Sequence, residues 1–359
     1  MSHLKILLCV ILALILLFIA VNIYLSVRYS HVNRGLRFIG WLISAFTCYD
    51  SEKGLRRFAG MANAFMPILF RYKSGKMTSK RVFIEGRDGN SIPVVIYKSK
   101  DAKPDATAFL WIHGGGYCIG TPGGEKSFLT PFVLQTNTVA VVVDYRLSVD
   151  APYPAAFHDC CDTLIWMKDH AQELGINEDQ IFVGGASAGG GLTAAVTLYA
   201  RDSGKVNIAF QMPIYPMIND KMDTDSMIGN TEMLWDEKRN RAAWRVYLAG
   251  LYGTDQISYY AAPAGAQDYS ALPPAYSFVG TLDPFYDETL QYMNSLKDAG
   301  TDVRYDIYEA AFHGFDVIPS KISKEARAKL LTEYKYAQEH YYVPHLLNIK
   351  GNKPCTARN

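Results

Sequence analysis

The chain has 359 residues, with 36 basic and 35 acidic side chains, a formal net charge of +1 and 49% apolar residues. That composition is far from a disordered one and supplies a sizeable core. The near-neutral balance, with no Lys/Arg cluster interleaved with aromatics, argues against a nucleic-acid partner.

The first element, residues 4–27, reads "LKILLCVILALILLFIAVNIYLSV" and carries only Lys5 and Asn22 as strongly polar interruptions. A hydrocarbon core takes roughly 20 apolar residues as a helix, so this stretch predicts a single membrane span. Its length, and the poor cleavage sites "AVN" and "SVR", favour an uncleaved anchor over a signal peptide. Arg28, Arg34 and Arg37 follow the span, against Lys5 before it, which predicts a body on the cytoplasmic side. Residues 36–46 and 61–72 are apolar and predict two helices that pack as core or cap. The sharper alternative for them is a greasy entrance near the bilayer, open to a lipid-like substrate. "KSGKMTSKR" reads as a polar linker.

From about residue 81 strands alternate with helices. "RVFIEGRDGNSIPVVIYKS" predicts a hairpin turning at Asp88-Gly89-Asn90. "ATAFLWI" is a short apolar run that ends at His113, and β-branched "TVAVVV" has the character of a strand buried on both faces of a parallel sheet. "FHDCCDTLIWMKDHAQEL" predicts a helix stopping near Gly175, "QIFVGGAS" a strand and "GLTAAVTLYARD" a helix. "VNIAFQMPIYP", "PPAYSFVGTLDP" and "DVRYDIYEAAFHGF" predict three more strands, the last two separated by helical "YDETLQYMNSLKDAG". Residues 219–262 break the alternation and read as an insertion. The whole is the pattern of an α/β fold with a mostly parallel sheet flanked by helices. The expected division is an anchor at 1–30, cap helices at 31–80, a catalytic domain at 81–345 with a cap insertion at 219–262, and a tail at 346–359.

Six cysteines, Cys160 and Cys161 adjacent and Cys9, Cys48, Cys118 and Cys355 scattered, show neither CxxC nor zinc spacing and read as reduced structural thiols. No N-x-S/T site is present. The eight histidines form no HExxH pair, and Asp220, Asp223 and Asp225 lack the glycine and glutamate of a calcium loop, so neither metal nor cofactor is expected. Residues 189–194 do match the G-x-G-x-x-A of a dinucleotide site. Ser187, however, already occupies the strand-to-helix turn that those glycines would open, and no ribose-binding acid follows.

Reactive groups of open α/β sheets gather beyond the carboxyl ends of strands. Four such ends carry chemistry here: His113 with its glycines, Ser187, Asp283 and His313. Ser187 sits in "GASAG", a G-x-S-x-G placed between strand and helix, the setting of a sharp turn with small flanks that projects the hydroxyl above the sheet. A serine hydroxyl is a poor nucleophile until a base takes its proton, and His313 in "AFHGF" follows in the order Ser, Asp, His. Asp283 in "GTLDPFYDE" is the carboxylate candidate to orient the imidazole, with Asp287 a nearby competitor and a simple turn cap the bland reading. "HGGGY" after a strand supplies backbone N–H groups for an oxyanion. Gly114, Gly115 and the N–H of Ala188 are assigned to it, with His113 and Gly116 as the supporting loop.

With these residues in view the chain resembles the hormone-sensitive-lipase group of α/β hydrolases, including membrane-anchored arylacetamide-deacetylase-like esterases. The resemblance covers roughly residues 82–315 and rests on "HGGGY", "VDYRL", "PYPAAFHD", "GGASAGG", "IYPMIND", "LPPAYSFVGTLDPFYDE" and "HGF". It implies a Ser187–His313–Asp283 triad, the glycine-loop oxyanion hole, and a cap made from the N-terminal helices and the insertion. It further implies hydrolysis of a small-molecule ester or lipid without a cofactor. Short to medium acyl chains are expected, with amide hydrolysis, or a non-catalytic ligand-binding role on the same fold, as alternatives. One departure is that the usual "DYRLAPE" reads "DYRLSVD", with Asp150 in place of the glutamate and no proline. Met217, Met222, Met227, Met233, Trp235, Trp244 and Tyr247 are expected to line or cover the pocket or simply to pack.

Overall fold

Runs of apolar, β-branched residues with no polar alternation leave a strand no wet face, so they form the centre of a sheet covered on both sides. The computed structural model, which describes residues 3–47, 49–69 and 75–342, has this arrangement. Three helices come first: α1 (His3–Arg28), α2 (Arg37–Phe46) and α3 (Glu52–Leu69). The hairpin β1 (Met77–Glu85) and β2 (Ser91–Ser99) follows, then β3 (Ala106–Ile112), α4 (Pro122–Gln135) and β4 (Thr138–Val143). Next come α5 (Ala155–Asp169), the short α6 (Ala171–Leu174), β5 (Ile176–Ala186), α7 (Ala188–Ser203) and β6 (Phe210–Ile214). After the insertion and its helix α8 (Glu237–Leu248), the chain finishes with β7 (Ala275–Gly280), α9 (Tyr286–Asp298), β8 (Val303–Tyr308) and α10 (Lys321–His340).

The eight strands lie in the order β1-β2-β4-β3-β5-β6-β7-β8. The β1/β2 and β2/β4 pairs are antiparallel and the remainder parallel. Successive side chains of a strand point to opposite faces, and the core divides accordingly. Ala108, Leu110 and Ile112 of β3 join Val141 and Val183 under α5 and α7. Phe109 and Trp111 face the other way, onto Phe132 of α4 and Leu330 and Tyr334 of α10.

Most elements fall where the periodicity puts them; four differ. Strand β1 begins at Met77, inside the stretch expected to be a linker, because pairing of Met77 with Ser99 lets polar Thr78, Ser79 and Lys80 occupy an exposed edge face. Residues 73, 74 and 346–359, the rest of that linker's start and the expected tail, lie outside the described residues. Helix α3 starts at Glu52, well before the apolar run, since Glu52, Lys53, Arg56 and Arg57 can all sit on its wet side. Helices α4 and α10, unforeseen, close the second face of the sheet. Helix α1 is long and apolar enough to cross a membrane. Cys118, Cys160 and Cys161 are free, buried thiols and Cys9 is free and exposed; Cys48 and Cys355 are outside the described residues.

A clamp joins the hairpin to the body. Arg146 of "DYRL" donates from Nη2 to Asp159 Oδ1 at 2.8 Å and to Asp88 Oδ2 at 2.7 Å, and its backbone N–H donates to Asp159 Oδ2 at 2.8 Å. Asp159 is buried, so its oxygens rely on these partners for hydrogen bonds. Asp150, at the departure from the family pattern, is exposed and makes no comparable contact. Replacing Asp159 by Ala is expected to cost about 2–3 kcal/mol, the range of lost charged hydrogen bonds, read as a fall in thermal midpoint; an unchanged midpoint would show the clamp to be idle.

Candidate active site

The carboxyl ends of β3, β5, β7 and β8 deliver the four expected groups to one place. After β5 the chain turns abruptly: Ser187 has φ 59° and ψ −121° and caps the first turn of α7. That conformation is strained for a side-chain-bearing residue, at a cost on the order of 1–3 kcal/mol. It is pinned by the Ser187 N–H donating to Ile214 O at 3.0 Å and by Ser187 O accepting from Gly191 and Met217 N–H groups. The glycines answer to crowding. A Cβ on Gly189 would lie 2.0 Å from Ile112 O, and one on Gly185 would lie 2.4 Å from Gly189 O. Residues 189–194, the apparent dinucleotide motif, are therefore part of a helix packed hard on β3 and hold no loop.

His313 Nε2 accepts from Ser187 Oγ at 2.9 Å, and its Nδ1–H donates to Asp283 Oδ2 at 2.9 Å and Oδ1 at 3.1 Å. The tautomer follows from the carboxylate, which can only accept. Asp283 is wholly buried and also accepts the Phe285 N–H at 2.8 Å. Its competitor Asp287 is engaged elsewhere, accepting the Ser226 N–H at 2.7 Å. Tyr215, Trp235 and Phe285 surround the imidazole, with ring centroids 4.9, 6.1 and 4.8 Å away.

Gly114, Gly115 and Gly116 border the cavity beside Ser187. Gly115 has φ +112°, and a Cβ there would strike Ile119 O at 1.9 Å, so only glycine fits. His113 does not line the cavity. It is buried, stacks on Tyr145 at 4.2 Å, and its Nδ1–H donates to Gly114 O at 2.9 Å. Burial lowers its pKa to about 4, so it stays neutral and braces the loop.

The cavity measures about 620 Å³. Of the seven Met and aromatic residues expected to line or cover it, Trp235 reaches its wall, whereas Trp244 and Tyr247 are fully buried and Tyr247 stacks on Tyr117 at 3.8 Å. The walls also hold polar groups to which no role is assigned from sequence. Trp111 Nε1–H donates to Glu125 Oε2 at 2.6 Å, and Tyr215 O–H donates to Asp316 Oδ1 at 2.6 Å. Arg327 Nε lies 3.7 Å from Asp316 Oδ2. Tyr215, at the carboxyl end of β6, could have been found by its strand-end position; Glu125 and Arg327 belong to α4 and α10, which were not foreseen.

A family model described as the α/β-hydrolase fold matches residues 109–317. The chain belongs to this family. Among curated relatives it is 30% identical to esterase LipI of Mycobacterium tuberculosis over 59% of this chain and 66% of the relative. It is 32% identical to carboxylesterase NlhH of the same organism, over 64% of this chain and 73% of the relative. Among solved structures, a bacterial heroin esterase superposes with TM-score 0.80 at 29% identity, covering 86% of this chain and 99% of the other. This α/β hydrolase, of the hormone-sensitive-lipase-like group, is a carboxylic ester hydrolase.

Glu125 offers a pH test. Burial raises its carboxyl to about 7 against the Trp111 hydrogen bond, which opposes the shift. A carboxyl raised in the folded state favours folding fully below its unfolded value near 4.5 and loses that contribution as pH climbs to about 7. The thermal midpoint of Glu125→Gln, compared with the parent at each pH, is therefore expected to gain between pH 4.5 and 7; a constant difference would refute the assignment.

Proposed function

We propose that this hydrolase cleaves carboxylic esters of short to medium acyl length through an acyl-enzyme on Ser187. One observation carries the reading: the continuous hydrogen-bonded line from Ser187 Oγ through His313 to buried Asp283. His313 Nε2 takes the hydroxyl proton as Oγ attacks the ester carbonyl, and Asp283 stabilises the imidazolium that results. The tetrahedral intermediate expels the alcohol, protonated by His313. Water, deprotonated by the same nitrogen, then attacks the acyl-enzyme and releases the acid.

The developing oxyanion is assigned to the backbone N–H groups of Gly114, Gly115 and Ala188. Among the described residues none of the three donates to a backbone carbonyl, which supports their availability. One such donor is worth about 3 kcal/mol of barrier. His113 and Gly116 hold the loop rather than touch the reacting atoms. The acyl range is supported by the cavity, whose volume of about 620 Å³ suits one small molecule.

Helix α1 is assigned as an uncleaved anchor. Leu25 is 1% exposed and Phe18 packs on Phe38, so the helix is joined to the body rather than merely preceding it. Arg28, Arg34 and Arg37 support a cytoplasmic body.

Ser187→Ala is expected to lower turnover of short p-nitrophenyl esters by about a million-fold and to abolish fluorophosphonate labelling. Asp283→Asn should cost about ten-thousand-fold through the wrong imidazole tautomer. Undiminished turnover in either variant refutes the mechanism. In a p-nitrophenyl ester series the rate should peak at short or medium chains; a steady climb to long-chain emulsions contradicts the acyl assignment.

A further inference from the structure

Helix α2 touches both the anchor and the pocket. Phe18 lies ten positions before Arg28, the last residue of α1, which at about 1.5 Å per residue places it about 15 Å in from that end. That is about half the thickness of a hydrocarbon core of about 30 Å. The Phe18 ring meets Phe38 at 5.3 Å, and Phe38 meets Trp41 at 6.4 Å. Both partners belong to α2, "RFIGWLISAF", which carries no charge after Arg37. With α1 across a bilayer, α2 therefore runs beside it at hydrocarbon depth.

The polar groups nearby are compatible with that depth. Arg37 Nε and Nη2 donate to Val32 O and Ser30 O, each at 2.8 Å, drawing the guanidinium back to the turn that follows Arg28. Asn22 Nδ2 donates to Phe18 O within α1 at 2.8 Å. The second half of α3 is also uncharged, from Phe58 to its end. Together the two helices expose Leu42 (41%), Phe46 (76%), Met61 (60%) and Phe65 (62%). Leaving such side chains in water forfeits the free energy of burying their apolar surface. The same helices border the cavity over Ser187, through Ile43 of α2 and Phe58 and Met66 of α3.

We infer that the α2–α3 face is seated in the bilayer and that the cavity opens between these helices into lipid, so that membrane-dissolved apolar esters reach Ser187 laterally from hydrocarbon. The inference rests on the esterase and anchor readings above and adds the source of the substrate. Each added methylene favours the membrane further, so medium-chain esters are concentrated at that mouth.

Two experiments on the full chain in phosphatidylcholine vesicles decide it. Photolysis with a phosphatidylcholine carrying a diazirine in its acyl chain should give adducts in residues 38–46 and 58–66 as well as in α1. Adducts confined to α1 overturn the proposal. The variant Leu42→Glu/Phe46→Glu/Phe65→Glu alters no cavity residue. It should hydrolyse dissolved p-nitrophenyl acetate within about twofold of the parent, and vesicle-borne p-nitrophenyl octanoate about tenfold more slowly. Equal rates on the vesicle substrate overturn the proposal; if both activities fall together, the adduct positions alone settle the matter, for or against. A parent inactive on either ester sinks the esterase reading, while the adducts still report the bilayer seat.

Discussion

The backbone at Ser187 is the constraint on which the rest depends. A left-handed, strained residue survives only where its surroundings leave no alternative. Here two strand ends supply that compulsion: Ile112 and His113 at the end of β3 press on Gly189, and at the end of β6 Ile214 O accepts the Ser187 N–H while the Met217 N–H donates back to the Ser187 carbonyl. Side chains larger than hydrogen at positions 185 and 189 would force these segments apart. The glycine-rich sequence is thus a packing requirement between a helix and the sheet it leaves, with the projecting hydroxyl as its result.

Once the turn is fixed, the electrostatics follow from dryness. Asp283 carries no exposed surface, and burying a carboxylate without hydrogen-bond partners is costly. The Phe285 N–H and the His313 Nδ1–H supply the partners, and the rings of Tyr215 and Phe285 limit where the imidazole can turn. His113 shows the opposite use of the same residue type: buried without a carboxylate, its ring is held neutral and serves as a brace beneath the glycine loop.

The cavity has two characters. Towards α2 and α3 its walls are apolar; towards α4 and α10 they carry Glu125, Asp316 and Arg327. The polar wall is tied to His313 through Tyr215, which bonds Asp316 and lies edge-on to the imidazole.

Much of this was legible in the sequence because the signals are local. G-x-S-x-G between a strand and a helix, "HGGG" after a strand, and alternation of apolar runs with helical periodicity each report a backbone geometry that neighbouring residues dictate. They were enough for the fold, for the four strand-end residues, and for the apolar first helix. Local signals could not choose Asp283 over Asp287, since both open the same turn and only the approach of the β8 loop decides which faces the imidazole. Nor could they separate Trp235, on the wall, from Trp244 and Tyr247, in the core, because burial is settled by what packs across from each ring. The polar wall depends on helices far apart in the chain, and Phe18 meets Phe38 only because the turn after α1 folds α2 back along it. Sequence by itself determined the chemistry and the layers, through short-range sterics and periodicity. Tertiary structure alone decided the partners, because contacts between distant segments leave no local trace.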